Sequence, residues 1–119
     1  VGAGRGDLHH VRQATHIERF SRLRDDFDRL TAGLALAEVV DAVPLDGVPD
    51  GEIFTMLVRA LTSLENEAFN PYLVPSSFYL KLLALDGSAP QLDSCVNCET
   101  TESLVAFNAE MGGALLCGE

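Results

Sequence analysis

Tryptophan is absent from this chain of 119 residues, and 8 basic side chains stand against 18 acidic ones for a formal net charge of −10. A surface so poor in cations repels a phosphate backbone over most of its area, which excludes a broad nucleic-acid-coating role and confines any such contact to a local patch. No apolar run is long enough to cross a bilayer, and the first residues do not read as a secretory leader. Internal repeats and low-complexity tracts are also missing. What is present is a 47% apolar fraction, enough to bury a core in one compact domain. The chain opens on Val1 with Gly2, Gly4 and Gly6 close behind, from which we expect an internal segment of a longer protein.

Cysteine is scarce too, but its spacing is informative. Cys95 and Cys98 form a CxxC pair, and Cys117 follows after a stretch reading SLVAFNAEMGGALL. Two thiolates in one tight turn reach a single tetrahedral ion, and a hairpin returns further sulfur to the same place. Leu104 to Phe107 reads as a short strand, Met111-Gly112-Gly113 as a turn and Ala114 to Cys117 as the return, with polar Asp93, Ser94, Asn97 and Glu99 around the knuckle. The pattern predicts a structural metal site at Cys95, Cys98 and Cys117 that lacks its fourth cysteine. An odd cysteine count at metal-like spacing also fits a reducing, cytoplasmic setting better than a disulfide framework.

Other chemistries use CxxC. A thioredoxin-like dithiol needs its pair at a helix N-terminus, whereas the helical pattern here precedes Cys95. Zinc deaminases combine H-x-E with P-C-x-x-C; His16-Ile17-Glu18 supplies the first, but Ser94 stands where the proline belongs. A zinc hydrolase would need an open site with His or carboxylate ligands and a base. Three idle, buried thiols are the plainest alternative.

Charge is segregated along the chain. Up to Thr31 six arginines (Arg5, Arg12, Arg19, Arg22, Arg24 and Arg29) slightly outnumber five acids, while from Ala32 onward only Arg59 and Lys81 oppose thirteen. Nucleic-acid contact therefore belongs near the start: Arg5 and Arg12 are the first candidates, then Arg22 and Arg24. Arg19, Arg22 and Arg29 also suit the solvated face of a helix. His9, His10 and His16 read as exposed strand residues rather than ligands.

Asp7 to Ile17 is polar and partly β-branched, predicting a short strand. Phe20, Leu23, Phe27, Leu30, Leu34 and Ala37 recur at helical spacing, predicting one amphipathic helix from Glu18 to Pro44. Asp50 is placed to cap a second helix striped by Ile53, Leu57, Leu61, Leu64 and Ala68 and broken at Asn70-Pro71. A third is expected from Pro75 to Leu85, with Gly87 past its end and Phe78, Tyr79, Leu82, Leu83 and Leu85 making it apolar around much of its girth. Ala89-Pro90 then turns toward the knuckle.

The succession of GRGDL (Gly4 to Leu8), VRQA (Val11 to Ala14), FxxLRxDxDRL (Phe20 to Leu30), FYLKLLALDG (Phe78 to Gly87), APxLDxCxxC (Ala89 to Cys98), FxxxxGG (Phe107 to Gly113) and Cys117 resembles the RecO family of bacterial recombination mediators. The resemblance implies a mainly α architecture: a helical domain with an inserted zinc-finger β-hairpin, preceded by the last strand of an OB-fold. Residues 1–17 would then end the OB-fold, with Leu8 to Ile17 as its final strand, 18–88 would form the helical domain, and 89–119 most of the zinc finger. It further implies zinc on Cys95, Cys98 and Cys117 and no catalytic residues. The implied activities are binding of single- and double-stranded DNA, strand annealing, association with RecR, and recombinase loading onto DNA coated by single-strand-binding protein, at the nucleoid. The alternative is a protein-binding helical module with a structural zinc and no DNA contact, its acidic part offering a groove to an amphipathic peptide.

Overall fold

A computed structural model describes Gly2, Ala3, Gly6 and residues 8–118. In chain order the elements are β1 (Gly2–Ala3), β2 (His9–His10), α1 (Ser21–Asp25), α2 (Phe27–Ala42), α3 (Asp50–Glu65), α4 (Leu73–Leu85), β3 (Leu104–Asn108) and β4 (Ala114–Cys117). The fold is thus mainly α with a small antiparallel hairpin near its C-terminal end. The expected N-terminal strand is much shorter than its sequence pattern: only His9–His10 is strand, paired antiparallel with Gly2–Ala3, and residues 11–16 have no regular structure.

The first helix is two helices. Asp26 leaves the helical region (φ −107°, ψ 123°) and its carboxylate accepts the Arg29 backbone N–H at 3.0 Å, so α1 stops and α2 starts afresh on that cap. The break changes which side of α2 faces inward. Ala32, Gly33 and Leu36 are the buried residues, whereas Phe27 is 80% and Leu34 62% exposed, contrary to the continuous stripe.

Helix α3 begins at Asp50 rather than after it, with extended Pro49 at the cap position. It ends three residues before Ala68, because Asn66 is extended (φ −85°, ψ 121°) and its side-chain oxygen accepts the Ala68 N–H at 3.0 Å. Pro75 sits in the first turn of α4, where its missing N–H breaks no helical bond. At the far end Gly87 (φ +80°) lets Ser88 donate to the Leu83 carbonyl (2.8 Å) while Gly87 itself donates to that of Ala84 (3.2 Å), the paired closure of a Schellman motif.

Leu23, Ala32, Leu36, Leu64, Phe78 and Leu82 form one buried cluster to which all four helices contribute. Two long-range polar clamps hold the C-terminal end of α3. The Glu65 carboxylate accepts the backbone N–H groups of Arg22 (3.1 Å) and Leu23 (2.9 Å), capping α1 from a different helix. In the other direction Arg29 of α2 donates to the carbonyls of Leu64 (2.6 Å), Asn66 (3.1 Å) and Phe69 (3.2 Å), placing a cation at the negative end of α3. Arg29 is therefore a brace within the bundle and not a solvated helix charge.

The hairpin packs against none of the helices among the described residues, and the radius of gyration is 19.0 Å, well above the about 13–14 Å of a compact chain of this length. The chain is thus more extended than the single compact domain that composition allowed.

Replacing Leu36, fully buried, by Ala should cost about 2–5 kcal/mol in urea denaturation, whereas Phe27→Ala should change stability by no more than about 0.5 kcal/mol. The Glu65 carboxyl is held below its usual value of 4.5, chiefly by the Leu23 N–H, with desolvation opposing and the Arg22 N–H and the Arg22 and Arg24 charges assisting. A depressed folded pKa gives stabilisation that is complete above the ordinary carboxylate pKa and disappears as pH falls through the folded one. The stability gap between wild type and Glu65→Gln should accordingly be widest near neutrality and close on acidification below about pH 4.5; urea midpoints that differ by the same amount at every pH would contradict it.

Candidate metal centre

After Gly87 the chain runs without regular structure to the knuckle. There the Glu99 N–H donates to the Cys95 carbonyl (2.9 Å) and the Cys95 N–H to the Thr100 carbonyl (2.8 Å), tightening the CxxC turn. Glu99 takes up a left-handed conformation (φ +60°) and so does Ser103 (φ +55°), which costs each roughly 1–2 kcal/mol relative to a right-handed backbone. The strain is local to the residues that fold the knuckle back onto the hairpin.

Strands β3 and β4 pair antiparallel with Leu104 opposite Cys117 and Asn108 opposite Ala114, and the register shifts between Leu104 and Ala106. Their connection is longer than the expected Met-Gly-Gly turn. The Asn108 side chain accepts the N–H groups of Glu110 (2.9 Å) and Met111 (3.3 Å), and its carbonyl that of Gly113 (3.2 Å). Gly113 is a required glycine: its φ is +78°, and a Cβ there would lie 2.8 Å from Pro90 Cβ and 3.3 Å from Phe107 Cζ. Pro90 and Phe107 thereby seat the incoming strap against the turn. The knuckle docks on β4 through an isolated parallel bridge between Cys95 and Leu115, with the Val96 N–H donating to the Leu115 carbonyl at 3.0 Å.

These local choices bring the three sulfurs together. The Sγ atoms of Cys95, Cys98 and Cys117 all lie within 4.8 Å of one another, with Cys98 and Cys117 at 3.4 Å, around a cleft of about 220 Å³ that Asn97 and Leu116 also line. Sulfurs bound tetrahedrally at about 2.3 Å from one ion are about 3.8 Å apart, so the donor set fits a thiophilic metal ion. Cys95 is fully buried. The backbone N–H of Cys117 points at its sulfur (3.4 Å), and this bond, with those from the N–H groups of Asn97 and Cys98, lowers its pKa to about 6 despite desolvation. Cys98 is exposed; the Thr100 backbone N–H pulls its pKa down, but the adjoining Cys117 and Cys95 thiols, desolvation and the Cys117 charge outweigh it and push it up. The pocket is thus prepared for one anionic sulfur by backbone dipoles, and a cation is what relieves the mutual repulsion of all three.

His9, His10 and His16 are exposed, and among the described residues no histidine joins the sulfur cluster. The Glu18 carboxylate accepts the N–H groups of Arg19 (2.7 Å) and Phe20 (2.9 Å), so the H-x-E triplet has no part in the centre. Of the arginines singled out for DNA, Arg5 lies outside the described residues, while Arg12, Arg22 and Arg24 are all exposed. Arg22 meets Glu67 at 3.8 Å across open solvent, a pairing of small value that leaves it able to change partner. One feature escaped the sequence pattern in detail: α3, α4 and the segment joining them border a groove of about 1060 Å³ whose walls include Met56, Phe69, Leu73 and Phe78. Arg59 and Lys81, the only cations after Thr31, both line it.

Cobalt(II) can serve as an optical probe of the site. Gly113→Ala should weaken cobalt affinity at least about tenfold, because the added methyl group strains the turn that delivers Cys117. Glu99→Gly should strengthen it by up to about fivefold by removing the left-handed penalty; equal affinities in all three proteins would show that the hairpin does not assemble the site.

The model of the family described as "Recombination protein O C terminal" matches residues 24–119. Proteins called DNA repair protein RecO are similar over most of the chain: that of Rubrobacter xylanophilus is 39% identical over 88 residues (74% of this chain, 35% of the relative). That of Alkaliphilus metalliredigens is 33% identical over 111 residues (92% and 45%), and that of Desulforamulus reducens 34% over 107 residues (88% and 41%). The chain therefore spans less than half the length of these relatives. No solved structure matches it. With the cysteine knuckle, the Gly-Gly hairpin and helices α2, α3 and α4 all inside the matched range, the chain belongs to the RecO family.

Proposed function

We propose that this chain is the helical and metal-finger part of a DNA-repair mediator that works by binding and assembly, without making or breaking covalent bonds in a substrate. On this proposal residues 1–17 close an OB-fold, 18–88 form the helical domain, and 89–119 form a zinc finger with three of its four cysteines in this chain. Zinc on Cys95, Cys98 and Cys117 is structural: when bound it supplies folding free energy to a loop-rich segment that buries little surface of its own. The convergence of the three sulfurs within 4.8 Å, in a chain of this family, is the observation that carries the proposal.

The full protein is then expected to bind single- and double-stranded DNA, anneal complementary strands, and with RecR load recombinase onto DNA covered by single-strand-binding protein, in the cytoplasm at the nucleoid. Among the described residues no helix is long and apolar enough to cross a membrane. In this segment the DNA contacts fall to Arg5, Arg12, Arg22 and Arg24. Arg29 is not among them, because its guanidinium is committed to three carbonyls.

A second reading has its own support. The groove beside α3 and α4 is apolar, and it collects both cations of an otherwise acidic stretch, which suits an amphipathic peptide of acidic character. Binding there needs no DNA contact from this segment.

One titration series separates the two readings. In the full-length protein, changing Arg5, Arg12, Arg22 and Arg24 to Glu should weaken DNA binding, and the slope of log affinity against log salt should flatten by about one for each phosphate that is no longer neutralised. An unchanged slope, together with binding of an acidic amphipathic peptide that Arg59→Glu and Lys81→Glu weaken, would replace the DNA-contact reading with the protein-binding one.

A further inference from the structure

We infer that the finger contains a thiol switch in which Cys98 and Cys117, and not the CxxC pair itself, close a disulfide that expels the metal. This regulation rests on the reading that a zinc ion occupies the centre. Three observations select the pair. Cys98 is the exposed sulfur of the three, so a small oxidant reaches it first. The Cys117 Sγ is 3.4 Å away, and only about 1.4 Å of approach separates that distance from a disulfide bond. Cys95, by contrast, is fully buried, and its sulfur is tied to the Cys117 backbone N–H inside a turn already closed by the bond from Glu99 to the Cys95 carbonyl.

The oxidant is a low-molecular-weight disulfide, such as glutathione disulfide. The Cys98 sulfur attacks one sulfur of the oxidant as the thiolate, the form in which a bound ion would hold it, forming a mixed disulfide and releasing one small thiolate. The Cys117 sulfur then attacks the Cys98 sulfur and displaces the second small thiolate. Two electrons pass from the protein to the oxidant, and the two released thiolates take protons from the thiols they replace or, in the loaded site, from solvent. A disulfide is a poor ligand, so the ion loses two of the sulfurs that held it and leaves. The new bond joins the knuckle to β4, where the metal had joined them. The hairpin is therefore retained, and the switch changes metal occupancy without unfolding the finger.

Zinc-loaded protein treated with glutathione disulfide tests this, with metal release followed by a chromogenic chelator. Free thiols are blocked with N-ethylmaleimide in denaturant, and the remainder are reduced and blocked with iodoacetamide. Trypsin leaves all three cysteines on one peptide, because no Lys or Arg follows Lys81, and fragmentation assigns each label. The expected result is maleimide on Cys95, acetamide on Cys98 and Cys117, and zinc release in step with their loss. In Cys117→Ser the reaction should stop at a glutathione adduct on Cys98. A disulfide that includes Cys95, a glutathione adduct that persists on Cys98 in the wild type, or zinc retained after the disulfide has formed would each overturn the inference. The same mapping on metal-free protein judges the choice of pair separately. Failure to take up zinc at all would remove the metal reading, and the release step with it.

Discussion

The meeting of one tight turn with one hairpin is the constraint on which the sulfur cluster depends. Cys95 and Cys98 are close because a two-residue spacing leaves a CxxC turn little alternative. Cys117 joins them only because β4 is held in register and the knuckle docks against Leu115. If all three sulfurs are to be thiolates at this spacing, a cation has to offset their mutual repulsion. The backbone offsets part of that repulsion in advance by directing the N–H groups of Cys117, Asn97 and Cys98 at Cys95. The local strain at Glu99 and Ser103 is of the kind that a bound ion offsets by closing several loops at once.

The helical part obeys different physics. Its core is small, with six buried side chains, and the end of α3 is secured by polar groups rather than by further burial. Glu65 caps a neighbouring helix while Arg29 caps the helix that carries Glu65, so each clamp satisfies backbone groups that the short helices leave open. This arrangement fixes how α1, and the arginines on it, sit relative to the rest of the bundle. The exposed apolar side chains of α2 and the open groove beside α3 and α4 show how much of the helical surface remains available for contact.

Legibility in the sequence follows the range of the interactions. The knuckle and hairpin are readable because CxxC, Gly-Gly and Cys117 encode their contacts within a couple of dozen residues. Helix α4 is readable to within two residues, for Pro75 and Gly87 mark its ends, whereas α3 stops at Glu65, five residues before the Asn70 of the expected break, because Asn66 is extended. The first helix is not: Phe20, Leu23, Phe27 and Leu30 keep the spacing of one stripe, but Asp26 caps Arg29 and resets the phase. Polar, β-branched residues 11–16 resemble a strand, yet a strand exists only where a partner runs beside it, and Gly2–Ala3 reaches no further than His9–His10. Arg29 looks like a solvated charge in the sequence because its partners lie 35 to 40 residues away. Glu65 gives no signal for the same reason, at 42 and 43 residues.

X-ray absorption at the zinc edge of the metal-loaded protein tests the central claim most directly. A sulfur-held structural ion predicts a first shell dominated by sulfur at about 2.3 Å, one ion per chain, with the sulfur count falling when Cys117 is replaced by Ser. A shell of oxygen and nitrogen at about 2.0–2.1 Å, unaffected by that replacement, would contradict it.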